Sequence, residues 1–325
     1  MTPIMRILCF LLLVGFSGQL WAQSIRLATF NCEFLLPNKV HIKYGLPFDN
    51  KKLPQEWRDE RFRQKKFAAS VDVVATHLVR LQADVLGLTE VGDQAAVQAL
   101  VEALKKKGVD YPHWKVCQSG DTGTGQHVAI LSKFPLKDIV PNFPNRGLYF
   151  AESDYEQTYS TDITKGMKAT VTAHGIDLNV FVFHFKSERG GEDSDQQRLM
   201  QAEIARRVSL PYIQQGKHVV IMGDLNSEPR HEVLLTVRGF RDIGAELLQT
   251  GDLYYFDDPK VRWTYNYRGQ MEQLDHILLS MSLTDLCGEN DYRQKKWGIQ
   301  TTIIPTNNEA ISDHNAVIVQ LNLKQ

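Results

Sequence analysis

The chain has 325 residues, 43% of them hydrophobic, and its 37 Lys and Arg nearly balance 38 Asp and Glu, for a net charge of -1. Near-neutrality argues against a protein that binds nucleic acid mainly through a broad basic surface, because such binding needs clustered Lys and Arg. An enzyme that holds a few phosphates through a metal ion is compatible with it. The hydrophobic fraction is ample for a core, and no low-complexity linker, internal repeat or long charge block marks a domain boundary.

The first 22 residues have the order of a secretory signal peptide. Arg6 precedes an apolar run from Ile7 to Phe16, and Ala22 precedes a polar start. The run is shorter than the roughly 18 to 20 residues that a bilayer span needs. We therefore expect residues 1–22 to be cleaved and residues 23–325, one domain, to be secreted or periplasmic.

Four cysteines are present, and Cys9 lies in the predicted signal peptide. The other three, Cys32, Cys117 and Cys287, are too widely spaced for a disulfide framework. At most one bridge can form.

The first half of the chain predicts strands that alternate with helices. Residues 24–31 alternate in polarity and predict a strand that ends at Asn31, and helical spacing over 59–82 precedes a predicted buried strand that ends at Glu90. Between them, residues 36–57 carry several Pro and Gly and predict a long irregular loop.

Further along, residues 95–104 predict an amphipathic helix, and three later runs predict strands. These strands cover 127–132, 167–174 and 178–185, the last being apolar on both faces and carrying His184 near its end.

In the last third, residues 194–208 predict a helix that begins at a Ser194 cap and ends before Pro211. Three more predicted strands follow, at HVVIMGDLN, MEQLDHILLS and ISDHNAVIVQL. The whole order predicts an α/β fold, a four-layer α/β sandwich of two packed mixed β-sheets flanked by helices.

Acid and amide side chains stand where predicted strands end. They are Asn31, Glu90, the pair Asp224 and Asn226, and Asp313 next to His314. Carboxylates at the edge of a core are costly unless a partner offsets their charge, and a hard divalent cation is the usual partner of oxygen ligands. Magnesium, with manganese as a second candidate, is favoured over zinc because no His and Cys cluster has zinc spacing.

The histidine beside Asp313 is suited to proton transfer near neutral pH and needs a carboxylate to fix its tautomer, for which Asp275 is the candidate. These parts permit attack of an activated water on phosphorus. Each motif alone has a structural explanation, since Asp and Asn favour turns and His184 could be a histidine satisfied at a strand end.

Taken together, seven segments resemble the endonuclease/exonuclease/phosphatase superfamily, which includes deoxyribonuclease I, apurinic endonucleases, bacterial sphingomyelinases and inositol-polyphosphate phosphatases. The segments are ATFN, LTEV, HVAILSKFP, VFHFKS, GDLN, QLDHILLS and SDHNAV. The resemblance spans residues 25–321, and it is closest to exported bacterial nucleases.

This resemblance implies a role for each matching residue. Asn31, Glu90 and Asp313 take the places of metal-site residues, and His314 that of the catalytic histidine, with Asp275 as its orienting carboxylate. The resemblance assigns the remaining positions as follows: Asp224 and Asn226 position the nucleophile and a phosphoryl oxygen, and His184 is the second histidine.

The chain departs from deoxyribonuclease I beside that second histidine. Where the enzyme has a supporting carboxylate, this chain has Gln126 and His127, which leaves phosphate binding as the expected role of His184. The active-site tyrosine of the family has no clear match, although Tyr159 lies in the corresponding region.

For the substrate, the resemblance favours DNA or RNA, and the near-neutral charge predicts weak binding to long polymers. A phospholipase C or sphingomyelinase activity would need an exposed aromatic loop, for which residues 253–256 (LYYF) are a candidate. The same fold would also accommodate an inositol-phosphate phosphatase or a noncatalytic binding protein. No membrane span and no obligate protein partner are predicted.

Overall fold

The structure is a computed structural model. The residues that it describes are 23–37, 53–117, 119–120, 124–240, 242–253, 262–291, 293, 297–306 and 311–324. The predicted signal peptide, most of the predicted loop at 36–57 and residues 254–256 of the LYYF segment lie outside the described residues.

Strands are the more abundant regular element in the described residues. They are β1 (Ser24–Leu35), β2 (Val85–Val91), β3 (His113–Cys117), β4 (His127–Ser132), β5 (Leu136–Val140), β6 (Phe143–Ala151), β7 (Asp154–Ile163), β8 (Gly166–Ala173), β9 (Ile176–His184), β10 (His218–Asp224), β11 (Leu247–Gln249), β12 (Tyr265–Tyr267), β13 (Gln270–Glu272), β14 (Asp275–Ser280), β15 (Ile299–Ile304) and β16 (Ala316–Asn322). The α-helices are α1 (Gln55–Arg58), α2 (Glu60–Leu81), α3 (Gln94–Lys106), α4 (Glu192–Gln214), α5 (Glu232–Arg238) and α6 (Met281–Thr284).

Two six-stranded mixed sheets form the body of the protein. The first has the order β15-β16-β1-β2-β4-β3 and the second β11-β14-β10-β9-β8-β5. Each sheet contains one parallel pair at its centre, β1 with β2 and β9 with β10, while the other pairs are antiparallel. Two hairpins, the long β6-β7 and the short β12-β13, form separate two-stranded sheets.

Each parallel pair is joined by a helical crossover, because parallel strands cannot be connected by a tight turn. Helices α1 and α2 lie between β1 and β2, and α4 lies between β9 and β10. Within each pair the carboxyl ends therefore lie at one edge of the sheet, and a hydrogen bond from Asn31 to Asp224 places the two edges on the same side of the sandwich. Ligands of open α/β sheets usually bind at this edge.

Three apolar layers hold the sandwich together, and they confirm the predicted four-layer fold. One layer fills the space between the two sheets, with Leu27 and Val180 among its members. The second packs α2 and α3 on the first sheet, and the third packs α4 and α5 on the second sheet. Both sheets are thus covered on both faces, which explains the near-continuous apolar strands in the sequence.

Helix ends follow the local sequence. The Asp59 side chain accepts a hydrogen bond from Arg61 N and so caps α2, and Asp93 caps α3 in the same way. The predicted bounds of α4 were wrong at both ends. Its cap is Gly191, so Ser194 lies inside the helix, and Pro211 also lies inside it instead of beyond it.

The cysteines of the described part, Cys32, Cys117 and Cys287, are buried free thiols. Within the described ranges, none of the helices combines the length and apolar character needed to cross a bilayer.

Candidate active site

Four predicted site residues stand at the carboxyl ends of the two parallel pairs. Asn31 and Glu90 belong to β1 and β2 of the first sheet, and His184 and Asp224 end β9 and β10 of the second. Asp224 pairs directly with His184 and with Asp275 in the sheet register. The site therefore lies across the seam between the two sheets.

His314 and Asp275 form the closest pair in this site. His314 Nδ1 lies 2.6 Å from Asp275 Oδ2, and both side chains are buried. The backbone N–H of His314 donates to Ser312 Oγ, and that hydroxyl donates to the carbonyl oxygen of Asn31. The histidine is thus held from both sides, with its Nε2 directed toward the other site residues.

Asp224 faces this pair from the second sheet. Its Oδ2 accepts a hydrogen bond of 2.9 Å from Asn31 Nδ2 and lies 3.9 Å from His314 Nε2. Its Oδ1 accepts from the backbone N–H of Asn226, whose own amide donates to the carbonyl oxygen of Phe185. Both carboxylate oxygens of Asp224 are therefore fixed in direction.

A second group lies beside it and contains Glu90, His184 and Asp224. His184 Nε2 is 3.7 Å from Glu90 Oε1 and 3.8 Å from Asp224 Oδ2, and each residue offers one ligand atom within 4.8 Å of the others. Asp224 is buried and Glu90 partly buried, and a cation between two carboxylates this close offsets their repulsion. Oxygen ligands of this kind suit magnesium or manganese, so the residues fit a divalent metal ion.

The remaining predicted metal residues contact the group differently. Asn31 Oδ1 accepts from the backbone N–H of Glu33, so its amide nitrogen, not its oxygen, faces Asp224. Asp313 lies at the rim, 42% exposed, with Oδ1 3.9 Å from His314 Nε2. Their roles as metal ligands stay predictions.

The site strongly perturbs its titratable groups. Burial alone lowers the pKa of His314, but the charge and hydrogen bond of Asp275, together with Asp224 and Asp313, raise it to about 10. Burial and the charge of Asp275 raise the pKa of Asp224 to about 7. Burial likewise raises the pKa of Glu90. His314 is thus an imidazolium at neutral pH in the metal-free protein.

Backbone strain accompanies these side chains. Glu90 has φ 55° and Asn226 φ 46°, both in the left-handed region that non-glycine residues rarely adopt. Gly223 has φ 134°, and a Cβ there would clash with the carbonyl oxygen of Phe183. Strain of this kind clusters at functional sites because the surrounding structure must hold it in place.

The structure shows the surroundings of Gln126, which stands where deoxyribonuclease I has a carboxylate beside its second histidine. Gln126 does not support the histidine, because its Oε1 accepts a hydrogen bond of 2.9 Å from Lys165 Nζ. His184 Nδ1 is buried with no hydrogen-bond partner among the described residues. Burial, with Lys165 and His314 nearby, lowers the pKa of His184 well below its ordinary value. The ring is therefore neutral near pH 7.

Two residues beside the site were missed by sequence reasoning. Lys165 ends the turn before β8, and its carbonyl oxygen accepts from the backbone N–H of His184. Tyr265 pairs with His314 through an isolated bridge, and their ring centroids are 4.8 Å apart. Tyr265 lies in the segment TYNYRG, residues 264–269, and no pattern in the sequence places it against His314. Tyr159, which lies in the region where the family has its active-site tyrosine, pairs with Tyr149 on the β6-β7 hairpin.

Comparison with known proteins agrees with this geometry. The model of the Endonuclease/Exonuclease/phosphatase family matches residues 28–314. Among curated proteins, no sequence matches the chain significantly.

Three solved structures of differently named proteins illustrate the similarity in fold. Truncated TDP2 from Caenorhabditis elegans is 17% identical, with a TM-score of 0.52 over 91% of this chain and 96% of that one. A beta toxin mutant from Staphylococcus aureus with bound magnesium ions is 17% identical, with a TM-score of 0.53 over 92% and 100%. An AP endonuclease from Archaeoglobus fulgidus is 15% identical, with a TM-score of 0.54 over 91% and 98%.

Proposed function

Since the chain belongs to the endonuclease/exonuclease/phosphatase family, we propose that it is an exported, magnesium-dependent nuclease that hydrolyses phosphodiester bonds in DNA or RNA. Members of this family are metal-dependent phosphoric ester hydrolases, and the chain is an enzyme of that class. A noncatalytic binding role is therefore set aside. The observation that carries the proposal is the His314 and Asp275 pair facing buried Asp224.

Following the family resemblance, we assign Glu90, Asn31 and Asp313 to the metal ion, and Asp224, with an oxygen within 4.8 Å of a Glu90 oxygen, is close enough to share in binding it. A bound magnesium ion would polarise a phosphoryl oxygen and lower the pKa of a water. Burial of Glu90 among other carboxylates supports this assignment, since a cation removes their mutual repulsion.

Asp224 is the group best suited to accept a proton from the attacking water. Burial and the charge of Asp275 raise its pKa in the metal-free protein, which makes the carboxylate a stronger base. Asn226 and Asn31 hold its two oxygens. His314, held by Asp275, remains charged and stabilises negative charge that builds on the phosphoryl oxygens.

His184 and Lys165 form the other side of the proposed phosphate site. His184 is neutral at pH 7 and suited to hydrogen bonding, not to proton donation. Lys165 supplies the positive charge. We expect Lys165→Met to raise KM by about tenfold, the usual weight of a charge-assisted hydrogen bond. Lys137→Met is the control, since Lys137 pairs with Asp177 on the surface. An unchanged KM would remove Lys165 from the site.

One observation supports a lipid substrate as the second candidate. The β6-β7 hairpin exposes Leu148 and Phe150, 64% and 52% accessible, and an exposed apolar hairpin could enter a lipid headgroup layer. Glu152, Asp154 and Glu156 at its tip oppose insertion, since carboxylates are costly to desolvate. Nucleic acid therefore stays the preferred substrate.

A substrate panel tests the proposal. The purified mature protein is assayed on duplex DNA, single-stranded DNA, RNA, sphingomyelin vesicles and inositol phosphates, each with magnesium and with EDTA. We expect magnesium-dependent turnover of nucleic acid, lost in His314→Ala with the circular dichroism spectrum unchanged. Turnover of vesicles or inositol phosphates alone would refute the nuclease assignment.

Export is a separate part of the proposal. We propose cleavage after Ala22, supported by the order of basic, apolar and small residues before it. Amino-terminal sequencing of the protein recovered from a bacterial host should begin at Gln23. Recovery of an intact Met1 terminus from the cytoplasm would contradict export.

A further inference from the structure

His276 is a buried histidine that takes no part in the proposed catalysis. It follows Asp275 on β14, and successive residues of a strand point to opposite faces of the sheet. Asp275 faces His314, whereas His276 lies on the other face and is 1% exposed. Burying the polar atoms of an imidazole is costly unless they form hydrogen bonds. The two ring nitrogens of His276 therefore need partners inside the protein.

Both ring nitrogens of His276 have such a partner. Nε2 lies 2.8 Å from the carbonyl oxygen of Ser227, and Nδ1 lies 2.9 Å from Nε2 of Gln249. A carbonyl oxygen can only accept, so Nε2 carries the proton. Burial lowers the pKa of His276 to about 4, so the ring is neutral near pH 7 and Nδ1 accepts from the Gln249 amide. Gln249, fully buried on β11, thus fixes the tautomer that donates to Ser227.

Ser227 ends the turn that carries the proposed general base. The turn begins at Asp224, and Asn226 within it has φ 46°, in the strained left-handed region. The backbone N–H of Asn226 donates to Asp224 Oδ1, so the direction of this carboxylate depends on the strained residue. Strain persists only where the surrounding structure holds it. The hydrogen bond from His276 supplies such a hold at the residue that follows Asn226.

The strand β14 therefore acts on catalytic groups of both sheets. Its first residue, Asp275, orients His314 and pairs with Asp224 in the sheet register, and its second residue, His276, holds the far end of the Asp224 turn. We propose that His276, supported by Gln249, is a positioning residue that keeps the Asp224 carboxylate directed at the attacking water. This inference rests on the proposed function, in which Asp224 accepts the proton of that water.

Two substitutions separate the hydrogen bond from the space that the ring fills. His276→Gln keeps an N–H donor at nearly the reach of Nε2, whereas His276→Phe fills the space and cannot donate. With magnesium, on the nucleic acid that the wild type hydrolyses fastest, we expect His276→Phe to lower kcat by about 10- to 100-fold and leave KM nearly unchanged. His276→Gln should recover most of kcat. His77→Phe is the matched control, because His77 is also 1% exposed but packs against Phe30 on the first sheet.

Amide hydrogen exchange in EDTA tests the turn without catalysis. His276→Phe should speed exchange of the Asn226 backbone N–H by about tenfold or more relative to His77→Phe, since the turn opens more easily. His276→Gln should restore slow exchange. This pattern supports the positioning role even if the wild type has no turnover, a result that would refute only the nuclease assignment.

Three results would overturn the role of His276. They are a kcat of His276→Phe equal to that of His77→Phe, equal losses of kcat in His276→Phe and His276→Gln, and unaltered exchange of the Asn226 N–H. If His276→Phe does not fold, Gln249→Leu takes its place, because it removes the donor to Nδ1 and leaves the histidine. Gln249→Leu should then lower kcat and speed the same exchange, and wild-type values of both would refute the inference.

Discussion

Replacing Asp275 by Asn removes the charge that keeps His314 protonated and leaves a side chain of nearly the same shape. The pKa of His314 is about 10 against an ordinary 6.5. At 1.36 kcal/mol per unit, the imidazolium gains about 5 kcal/mol net of its burial cost. Asp275 is the main source of that gain through its charge and its contact of 2.6 Å with Nδ1. We expect the variant to lower the pKa of His314 by roughly two units or more.

The stability of the metal-free protein should change with pH accordingly. Because the folded pKa of His314 is raised, its contribution is complete below about 6.5 and disappears as pH rises through about 10. Asp275→Asn should remove that decline, seen by urea unfolding in EDTA at several pH values. NMR titration of the imidazole measures the pKa directly.

The catalytic activity of Asp275→Asn is a second test of the contact between Asp275 and His314. With magnesium, kcat/KM should fall by about 10² to 10⁴ in Asp275→Asn, since a misdirected histidine loses its catalytic effect. Asp252→Asn is the control, because Asp252 pairs with Arg238 away from the site. A pKa of His314 that stays at about 10 in the variant would refute the reasoning.

Three further predictions concern metal binding, backbone and acid stability. Magnesium should raise the Tm of the wild type by binding the folded state, and Glu90→Gln should lose most of that rise; an equal rise in both would remove Glu90 from the metal site. Gly223→Ala should lower the free energy of unfolding by more than about 3 kcal/mol, because the added Cβ would meet the backbone of Phe183. Gly216→Ala, with open space around it, should lower it by about 1 kcal/mol. Equal losses of the two variants in denaturant unfolding would contradict this. Burial lowers the pKa of His77 to about 4. The neutral imidazole therefore contributes fully to stability above about pH 6.5, and up to about 3 kcal/mol of that contribution is lost as the pH falls through 4. His77→Phe should flatten that acid decline, and an unaltered pH dependence of unfolding would contradict it.

Much of the fold followed from periodicity. The strands that carry Asn31, Glu90 and His184 were predicted close to their observed positions, except that β1 continues beyond Asn31 to Leu35. They are covered on both faces, so their apolar runs are continuous. The β6-β7 hairpin and the short β12-β13 hairpin were not predicted. Their strands are partly exposed, so packing does not impose a clear alternation of polarity.

Pro211 shows a different limit. Proline usually stands beyond a helix end, and this rule placed the end of α4 too early. In the structure α4 continues to Gln214 because its inner face remains packed on the second sheet through Ile213. Tertiary packing outweighed a local preference, which no short window of sequence can reveal.

The sequence by itself determined the chemistry of the site, because the ends of apolar strands are visible in it and each carried a carboxylate, amide or histidine. It could place these residues on one side of the sandwich but not measure their contacts. The tertiary structure decided that Asp275 lies 2.6 Å from His314 Nδ1, that Gln126 serves Lys165 instead of His184, and that Tyr265 lies against His314. These contacts join residues distant in the chain, and their distances depend on strand register and sheet packing, which leave no local pattern.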